Sequence, residues 1–405
     1  MDKNCWCGGY FEKLKINFGE IPSCDHYKSI KKNAIKATRS NIELALCANC
    51  NLIQLTKRLA PEILYSDYIY KTSDSPGLVE HFNNFAEFIN NEFPNSKKIL
   101  DIGCNEGILL QFLKNKYQYD VIGIEPSDIG VKGCKLNGVD VIQDYFNSNT
   151  VSLIINKKGF QDIVCSNNVL ANIDNLSEYL KNVNKVLIKN GFFIFETITF
   201  NGISNSLTFE MVNHEHFYYF NEDSVLNLCN SHGFKLVRTI NLNLKGGSAR
   251  YICQKIKNYS KTQNTNFVKY NKNNKEFLFF KNSLRSKTKQ LNTYISKMIE
   301  EGFSIYGFGA FAGATILIYT FKLERFLECL FDDNPRRIGL YSPGSAIPVR
   351  DINKSSINQK SILIIFAWRY YEKIINRHRK IFNNFDEIVV PLPNIHILNK
   401  KDFNN

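Results

Sequence analysis

The chain has 405 residues, 44% of them hydrophobic and 22% charged, which is the composition of a folded protein with two or three domains. No apolar run approaches the roughly 20 residues that cross a bilayer, and the N-terminus has no signal-peptide core, so we expect a soluble, cytoplasmic protein without a membrane partner. The net charge of +13 comes from 51 basic and 38 acidic residues scattered along the chain, which favours a solvated surface and predicts no nucleic-acid partner.

Residues 1–58 carry two closely spaced cysteine pairs, C-x-C followed by C-x-x-C. Paired thiolates at such spacings build tetrahedral zinc sites, and a cysteine-only site is structural. The C-x-C pair is tighter than usual, which leaves Cys24 or His26 as alternative ligands. Because so short a segment buries little apolar surface, we expect the metal to supply its folding energy. The predicted zinc ligands are Cys5, Cys7, Cys47 and Cys50.

The other cysteines are isolated in apolar or turn contexts, and we interpret them as reduced core thiols. They are Cys104, Cys134, Cys165, Cys229, Cys253 and Cys329.

A glycine-rich turn follows a short apolar strand that contains Asp101. Gly103 and Gly107 stand in a D-x-G-x-x-x-G spacing ahead of a helical apolar pattern, and such glycines let backbone N–H groups approach a ligand closely. The next strand ends at Glu125, about 20 residues beyond the glycines, where an acidic side chain suits the two hydroxyls of a ribose. The G-x-G-x-x-G spacing of dinucleotide sites is absent. The pattern therefore favours S-adenosylmethionine, which has a ribose and a carboxylate but no pyrophosphate.

Alternating strands and helices predict an α/β protein with a doubly wound parallel sheet. A mostly helical stretch, Pro61–Phe93, precedes the sheet, and a second strand feeding a glycine-rich turn opens another α/β unit at Phe303–Gly313. We predict a zinc module over 1–58, a first α/β domain with a helical lead-in over 59–256, a linker and helix over 257–300, and a Rossmann-like domain over 301–405. The predicted strands are Ile99–Ile102, Val121–Ile124, Gln161–Cys165, Gly191–Glu196, Leu327–Phe331 and Ser361–Phe366, and the predicted helix before the last domain is Phe277–Glu300.

Two histidines flank a glutamate in the segment 213–216. The spacing is not that of zinc proteases, whose two histidines lie four residues apart on one helix face. In an extended chain, His214 and His216 would point one way and Glu215 the other. The segment follows the strand that ends at Glu196, on the side of a parallel sheet where ligands bind. An imidazole beside a methyl donor is suited to act as a general base there.

Taken together, these motifs resemble a known family, the zinc-containing sugar C-methyltransferases that act on nucleotide-linked 4-keto-deoxysugars. The resemblance implies a zinc module, a central class I S-adenosylmethionine-dependent methyltransferase domain and a C-terminal Rossmann-like domain, with the sugar nucleotide held between domains. The motifs occur in order over nearly the whole chain: LIQL (Leu52–Leu55), DYIY (67–70), LDIGCNEG (100–107), NNVLANI (Asn167–Ile173), NHEHFYYF (213–220), GGSARY (Gly246–Tyr251), YGFGAFAG (306–313) and DDNPRRIGLYSPGSAIPV (Asp332–Val349).

The same motifs predict how the methyl donor is held. Asp101 and the backbone at Gly103 and Gly107 are expected to face its amino-acid end. Glu125, followed by Pro126, is expected to bind the ribose. The adenine or methionine side is expected to lie against Asn167 and Asn168.

The predicted chemistry follows from carbon acidity. A carbon next to a ketone loses its proton to give an enolate, which then attacks the sulfonium methyl group. His216 is the predicted base, with Glu215 orienting or assisting it. The predicted hydrogen-bond donors to the enolate oxygen are Asn213, Asn172 and a tyrosine from the pair Tyr68 and Tyr70.

Two positions depart from the family pattern. The family usually has a tyrosine where this chain has Asn213, and a histidine where it has Asn172. Both asparagines keep hydrogen bonding but remove a phenol and an imidazole from proton handling. The resemblance therefore predicts the fold and the cofactor better than the acceptor.

Three other functions stay open on the sequence. The two departures are compatible with methylation of an oxygen or a nitrogen of a nucleotide sugar. The positive net charge and the two cysteine pairs, taken alone, would suit a zinc-containing nucleic-acid-binding protein. The glycine turn of the C-terminal unit would suit a nicotinamide-dependent enzyme.

Overall fold

A computed structural model describes residues 5–64, 71–75, 77–244, 246–256, 267 and 272–399; at 61–62 and 272–274 it describes the backbone alone. The helices are α1 (Lys31–Ile35), α2 (Pro61–Leu64), α3 (Leu78–Glu92), α4 (Ile108–Tyr117), α5 (Asp128–Leu136), α6 (Ser148–Lys158), α7 (Leu176–Val186), α8 (Phe200–Ser206), α9 (Glu222–Ser231), α10 (Lys272–Glu300), α11 (Ala312–Thr320) and α12 (Tyr371–Phe382).

The strands fall into three sheets. They are β1 (Phe11–Pro22), β2 (Arg39–Cys47), β3 (Ile53–Leu55), β4 (Lys98–Ile102), β5 (Asp120–Ile124), β6 (Val141–Ile142), β7 (Gln161–Asn167), β8 (Leu187–Ile198), β9 (Tyr218–Tyr219), β10 (Phe234–Leu242), β11 (Ser248–Lys255), β12 (Ser304–Phe308), β13 (Leu327–Phe331), β14 (Val349–Arg350), β15 (Ser361–Ile365), β16 (Glu387–Val390) and β17 (His396–Asn399).

The central sheet has the order β10-β11-β8-β7-β4-β5-β6. The strands from β8 to β6 pair in parallel, and β11 is antiparallel to both of its neighbours. Leu100 packs into one hydrophobic core and its neighbour Ile99 into another, because successive side chains of a strand face opposite sides of the sheet. A parallel sheet buried on both faces explains the continuous apolar runs of its strands. The predicted Rossmann-like sheet is confirmed.

The C-terminal sheet has the order β14-β13-β12-β15-β16-β17, with only β17 antiparallel to its neighbour among these pairs. The predicted strand Leu327–Phe331 is reproduced residue for residue, and Ser361–Phe366 to within one residue. This second α/β unit is therefore also as predicted. The predicted helix Phe277–Glu300 is contained in α10, which begins at Lys272.

The N-terminal sheet has the order β1-β2-β3-β9, so its fourth strand comes from the segment just after His216. Ile16, Ile21, Ile42 and Leu44 are buried in a core that also contains residues of the other two sheets. The expectation that this module buries little apolar surface is therefore wrong. Its long strands pack against the rest of the chain, with which it shares one core.

Two of the segments predicted from the sequence lie partly or wholly outside the residues that the structure describes. In the predicted linker and helix over 257–300, residues 257–266 and 268–271 lie outside the described residues, as does the whole DYIY motif (67–70). Within the described part of the chain, no helix is both long and apolar enough to cross a membrane.

Candidate active site

The glycine turn between β4 and α4 is built as the sequence predicts. Gly103 and Gly107 both have φ of +70°, a conformation that L side chains rarely adopt. A Cβ atom on Gly103 would stand 2.4 Å from Cγ2 of Val169, in the loop that follows β7. The absence of a side chain therefore lets the ends of β4 and β7 approach each other.

Asp101 and Asn167 lie at the carboxyl ends of these two strands with unused polar atoms. Both side chains are buried. Oδ1 of Asp101 and both amide atoms of Asn167 have no hydrogen-bond partner among the described residues. Burial, reinforced by the nearby carboxylates of Glu125 and Glu196, raises the pKa of Asp101 to about 8. Buried polar groups are rarely left unsatisfied, so these atoms fit a polar ligand such as the amino-acid end of S-adenosylmethionine.

Glu125 follows β5, and its carboxylate accepts hydrogen bonds from the protein backbone. Its Oε2 accepts a hydrogen bond from the backbone N of Asn105 at 3.0 Å, and its Oε1 accepts one from the backbone N of Ser127 at 2.9 Å. A Cβ on Gly130 would stand 2.6 Å from Cγ of this glutamate, so α5 also needs a glycine here. Oγ of Ser127 also donates to Oε1, at 2.5 Å. A carboxylate has about four lone-pair sites, so Oε2 of Glu125 can still accept from the ribose. Pro126 lies between Glu125 and the N-cap residue of α5, Ser127.

A buried charge cluster at this edge of the sheet was missed by sequence reasoning. Oε2 of Glu196 lies 2.7 Å from Nε2 of His81, and its Oε1 accepts from Nε of Arg250 at 2.7 Å. The Arg250 guanidinium lies 3.8 Å from the ring centroid of Phe85. These residues come from three distant parts of the chain. Of them, only Arg250 lies in a motif, GGSARY, that the sequence analysis identified. The cluster balances the charge of one carboxylate beside the predicted donor site.

The segment 213–216 bends at His214 and Glu215, so the expectation of an extended chain with alternating side chains is wrong. Oδ1 of Asn213 accepts hydrogen bonds from the backbone N atoms of Glu215 at 2.9 Å and His216 at 3.3 Å. An asparagine that bonds the backbone two residues on makes a turn of this kind. The turn fixes the direction in which the His216 side chain projects from the backbone.

Nδ1 of His216 lies 3.1 Å from the carbonyl oxygen of Met211. A carbonyl can only accept, so this contact requires a proton on Nδ1 and leaves the basic lone pair on Nε2. The amide nitrogen of Asn213, 3.3 Å from the same ring nitrogen, would donate to an unprotonated Nδ1; the shorter contact to Met211 favours the proton on Nδ1. The imidazole is half-buried.

His214 faces the opposite way, into the N-terminal sheet. Its Nδ1 lies 3.2 Å from Sγ of Cys24, and its Nε2 lies 3.4 Å from the carbonyl oxygen of Ser40. Burial lowers the pKa of His214 to about 4, so this ring is neutral at neutral pH. The two histidines of the motif therefore have different environments.

Asn172 ends a 3-10 turn, Leu170–Asn172, that lies against this segment. The backbone N of Phe217 donates to the carbonyl oxygen of Ala171 at 2.7 Å, which places the residues after His216 beside the turn. Oδ1 of Asn172 is buried without a hydrogen-bond partner among the described residues. Asn168 donates its backbone N to the carbonyl oxygen of Glu196 at 2.8 Å. The other two predicted site residues, Tyr68 and Tyr70, lie outside the described residues.

The four predicted zinc ligands come together. The sulfur atoms of Cys5, Cys7, Cys47 and Cys50 all lie within 4.8 Å of one another, with Cys5–Cys50 at 3.4 Å and Cys7–Cys47 at 3.5 Å. Four thiolates around zinc stand about 3.8 Å apart, so small side-chain shifts would suffice. The backbone N of Gly9 donates to Sγ of Cys7 at 3.4 Å. The cluster fits zinc.

The alternative ligands are placed elsewhere. Cys24 contacts His214, and His26 lies with Nδ1 2.9 Å from Oγ of Ser23. Neither belongs to the four-sulfur cluster. Four of the cysteines described as isolated form two close pairs, Cys104–Cys134 at 3.6 Å and Cys229–Cys253 at 3.2 Å between sulfurs, so that description is wrong although all are free and buried.

Two family models match the chain. A C-methyltransferase C-terminal domain matches residues 243–393, and a methyltransferase domain matches residues 78–239. The C-methyltransferase NovU of Streptomyces niveus is 21% identical over 391 residues, which cover 93% of this chain and 92% of that protein. The chain is thus similar to a C-methyltransferase over nearly its whole length. It is an S-adenosylmethionine-dependent methyltransferase, as predicted.

Solved structures resemble parts of the chain. Magnesium protoporphyrin IX methyltransferase from Synechocystis PCC 6803, with bound S-adenosylmethionine, is 14% identical and covers 47% of this chain and 87% of its own, with a TM-score of 0.35. A methyltransferase from Archaeoglobus fulgidus is 14% identical and covers 44% of this chain and 94% of its own, also with a TM-score of 0.35.

Proposed function

We propose that this C-methyltransferase methylates a carbon next to the ketone of a nucleotide-linked deoxysugar, with His216 as the general base. The observation that carries the proposal is the contact between Nδ1 of His216 and the carbonyl oxygen of Met211, which leaves Nε2 as the basic atom. A general base needs an unprotonated atom to accept the proton, and a proton held on Nδ1 puts the basic lone pair of His216 on Nε2.

S-adenosylmethionine supplies an electrophilic methyl group. Asp101 and Asn167 would hold its amino-acid end, because their buried polar atoms have no partner among the described residues. Glu125 would accept from the ribose hydroxyls, while Gly103 and Gly107 let the backbone approach. Zinc would be held by the four-sulfur cluster, where cysteine-only ligands give it a structural role.

The residues around His216 would make the acceptor carbon nucleophilic. His216 takes the α-proton at Nε2, and Glu215 assists or orients it. As the proton leaves, negative charge develops on the ketone oxygen, and the amide N–H groups of Asn172 and Asn213 are suited to stabilise it. Asn213 also sets the turn through its Oδ1, so its replacement of the family tyrosine gives this position a conformational role.

Use of the C-terminal glycine turn by a nicotinamide cofactor has less support. A Cβ at Gly313 would stand 3.0 Å from Cβ and Cγ of Glu210, so the start of α11 is covered by a carboxylate side chain from the central unit. The carboxylate of Asp332 accepts from the backbone N of Ala310 at 2.6 Å and from that of Asn334 at 2.7 Å. Because the Glu210 side chain covers the start of α11, a pyrophosphate has less room at the helix N-terminus where it would bind.

The proposal is tested with S-adenosylmethionine carrying a ¹³C-labelled methyl group and dTDP-4-keto-6-deoxyglucose as the probe acceptor, extended to other nucleotide-linked 4-keto-deoxysugars. The expected product shows a new C–CH₃ signal by NMR, and the unmethylated probe exchanges its α-proton for deuterium when the donor is omitted. An O–CH₃ or N–CH₃ product would contradict carbon methylation. Neither exchange nor methylation with any member of the set would contradict the proposed acceptor class.

A further inference from the structure

Arg58 lies just beyond β3, and its side chain contacts two segments of the candidate site. Its side chain is 7% exposed, and its Nη1 donates to both the carbonyl oxygen and Oδ1 of Asp174, each at 3.0 Å. The guanidinium also lies 4.9 Å from the ring centroid of Phe217 and 4.7 Å from that of Tyr218. A planar cation that stacks on rings while donating to oxygens is a use to which arginine is suited and lysine is not.

These contacts join the two parts of the proposed site. Asp174 lies two residues after Asn172, and Phe217 is the residue after His216. The same two segments also meet where the hydroxyl of Tyr218 donates to the carbonyl oxygen of Asp174 at 3.2 Å. One guanidinium therefore contacts the loop carrying Asn172 and the segment carrying His216.

The ion pair alone does not account for a buried arginine here. The Asp174 side chain is 53% exposed, and ion pairs with so exposed a partner contribute little stability. The contacts that are sheltered from water are those to the backbone carbonyl and to the two aromatic rings. Those contacts fix geometry between segments that are far apart in sequence.

The geometry points to Arg58 as a positioning residue that sets the placement of Asn172 relative to His216 for methyl transfer. This inference rests on the proposed function of those two residues. Arg58 does not touch the reacting atoms in this scheme; it acts through the loop and the segment that it holds.

The test compares Arg58→Lys and Arg58→Ala with Arg238→Ala as a matched control. Arg238 also pairs with a carboxylate, Glu92 at 2.9 Å, and lies 5.3 Å from the ring centroid of Phe88, but it is on β10. Both Arg58 variants should lower kcat on the probe keto-sugar by on the order of 10–10²-fold, because small misplacements of reacting groups have effects of that size. KM and the affinity for S-adenosylmethionine should stay unchanged, as should all parameters of the control.

Two readouts separate positioning from general destabilisation. Ethylguanidinium should restore activity to Arg58→Ala, whereas ethylammonium, which is charged but not planar, should not. In ¹³C-labelled protein, Arg58→Lys should move the imidazole resonance of His216, and Arg238→Ala should leave it in place; the chain has only seven histidines to assign. If Arg58→Ala does not fold, the kcat and the His216 resonance of Arg58→Lys are sufficient to test the inference.

A wild-type kcat with an unmoved His216 resonance in Arg58→Lys would overturn the inference. So would a loss of activity that is matched by the control and not restored by ethylguanidinium. Failure of the proposed function is seen separately, as full turnover by a His216→Asn variant that retains Arg58.

Discussion

At the scale of single residues, the site depends on which atoms of a side chain are already engaged. His214 and His216 are the same residue type two positions apart, yet one is neutralised by burial against Cys24 and Ser40 and the other keeps Nε2 as its basic atom. The sequence predicts His216 as the base and leaves His214 without an assigned role. It did not predict this difference, because the bend at His214 and Glu215 depends on a hydrogen-bonded turn made by Asn213.

Replacing His216 by asparagine is expected to abolish turnover while S-adenosylmethionine and the keto-sugar still bind. A base acts in the transition state, so its loss lowers the rate by on the order of 10²–10⁴-fold and affects ground-state affinity little. Steady-state kinetics and calorimetry measure the two effects. His232→Asn is the control, since that buried imidazole bonds the carbonyl oxygen of Leu228 within α9. Normal α-proton exchange by His216→Asn would move the base to another residue.

Binding of S-adenosylmethionine is expected to release a proton from Asp101 at pH 6–7. With a pKa raised to about 8 by burial, this carboxyl is largely protonated in the free protein over that range. A bound ammonium favours the ionised form, so affinity should rise as the pH rises towards 8. Calorimetry in buffers of different ionisation enthalpy counts the released protons. Equal proton release by Asp101→Asn would contradict this placement.

The raised pKa of Asp101 has an opposite effect on the free protein. The folded form keeps a proton that the unfolded chain loses near its ordinary value of 3.8, so this group lowers the stability of the fold as the pH rises from about 4 to about 8. Ligand affinity and free-protein stability should therefore change in opposite directions over the upper part of that range.

Glu125→Ala is expected to weaken binding of S-adenosylmethionine by about 1–3 kcal/mol, because ribose hydroxyls lose their acceptor. Asp128→Ala, which removes a neighbouring carboxylate bonded to Gln143, serves as the control and should bind normally. Unchanged affinity of Glu125→Ala by calorimetry would place the ribose elsewhere.

At the scale of elements, the strands of the two α/β units were predictable because a buried parallel strand is a continuous apolar run. The pairing of β3 with β9 was not, because β9 is only two residues long and its partner lies in another part of the chain. The turn that carries Cys47 and Cys50, two of the predicted zinc ligands, also contacts α9. Nδ2 of Asn227 donates to the carbonyl oxygen of Cys50 at 3.2 Å, and Nδ2 of Asn221 to that of Asn51 at 3.2 Å.

The purified protein is expected to carry about one zinc per chain. Cys47→Ser or Cys50→Ser should lose the metal and lower kcat, because the turn that the metal closes supports β3 and, through it, the segment after His216. The affinity for S-adenosylmethionine should not change. Cys329→Ser, a buried cysteine of the C-terminal sheet, is the matched control and should keep the metal. Metal analysis that finds no zinc in protein prepared without chelators would contradict the prediction.

At the scale of the whole molecule, the three sheets behave as parts of one core. Oγ1 of Thr315 on α11 donates to the carbonyl oxygen of Cys24 at 2.8 Å, and Nη2 of Arg337 lies 2.6 Å from Oδ1 of Asp25. The N-terminal module is thus attached to the C-terminal unit as well as to the central one. Sequence analysis divided the chain by motif and had no means of detecting these contacts between distant segments.

The shared core predicts that the N-terminal and C-terminal units unfold together. The chain has two tryptophans, Trp6 next to the four-sulfur cluster and Trp368 beside Glu210, so Trp6→Phe and Trp368→Phe each leave one fluorescent reporter. Circular dichroism measures how far each substitution shifts the overall midpoint of thermal unfolding. After that correction, the fluorescence of Trp6 and that of Trp368 should report the same midpoint. Separate transitions would show that the modules are energetically independent.

The position of β9 has a consequence for biosynthesis. A ribosome releases β1, β2 and β3 first, yet β9, which pairs with β3, and α11, which packs against β1, belong to much later parts of the polypeptide. Until then β3 is an open sheet edge, and apolar side chains of the first module have no partner to bury them. Exposed sheet edges and exposed apolar surface promote aggregation and binding by chaperones. Early zinc binding at the turn after β2 would hold this unfinished sheet in register while the rest of the enzyme is made.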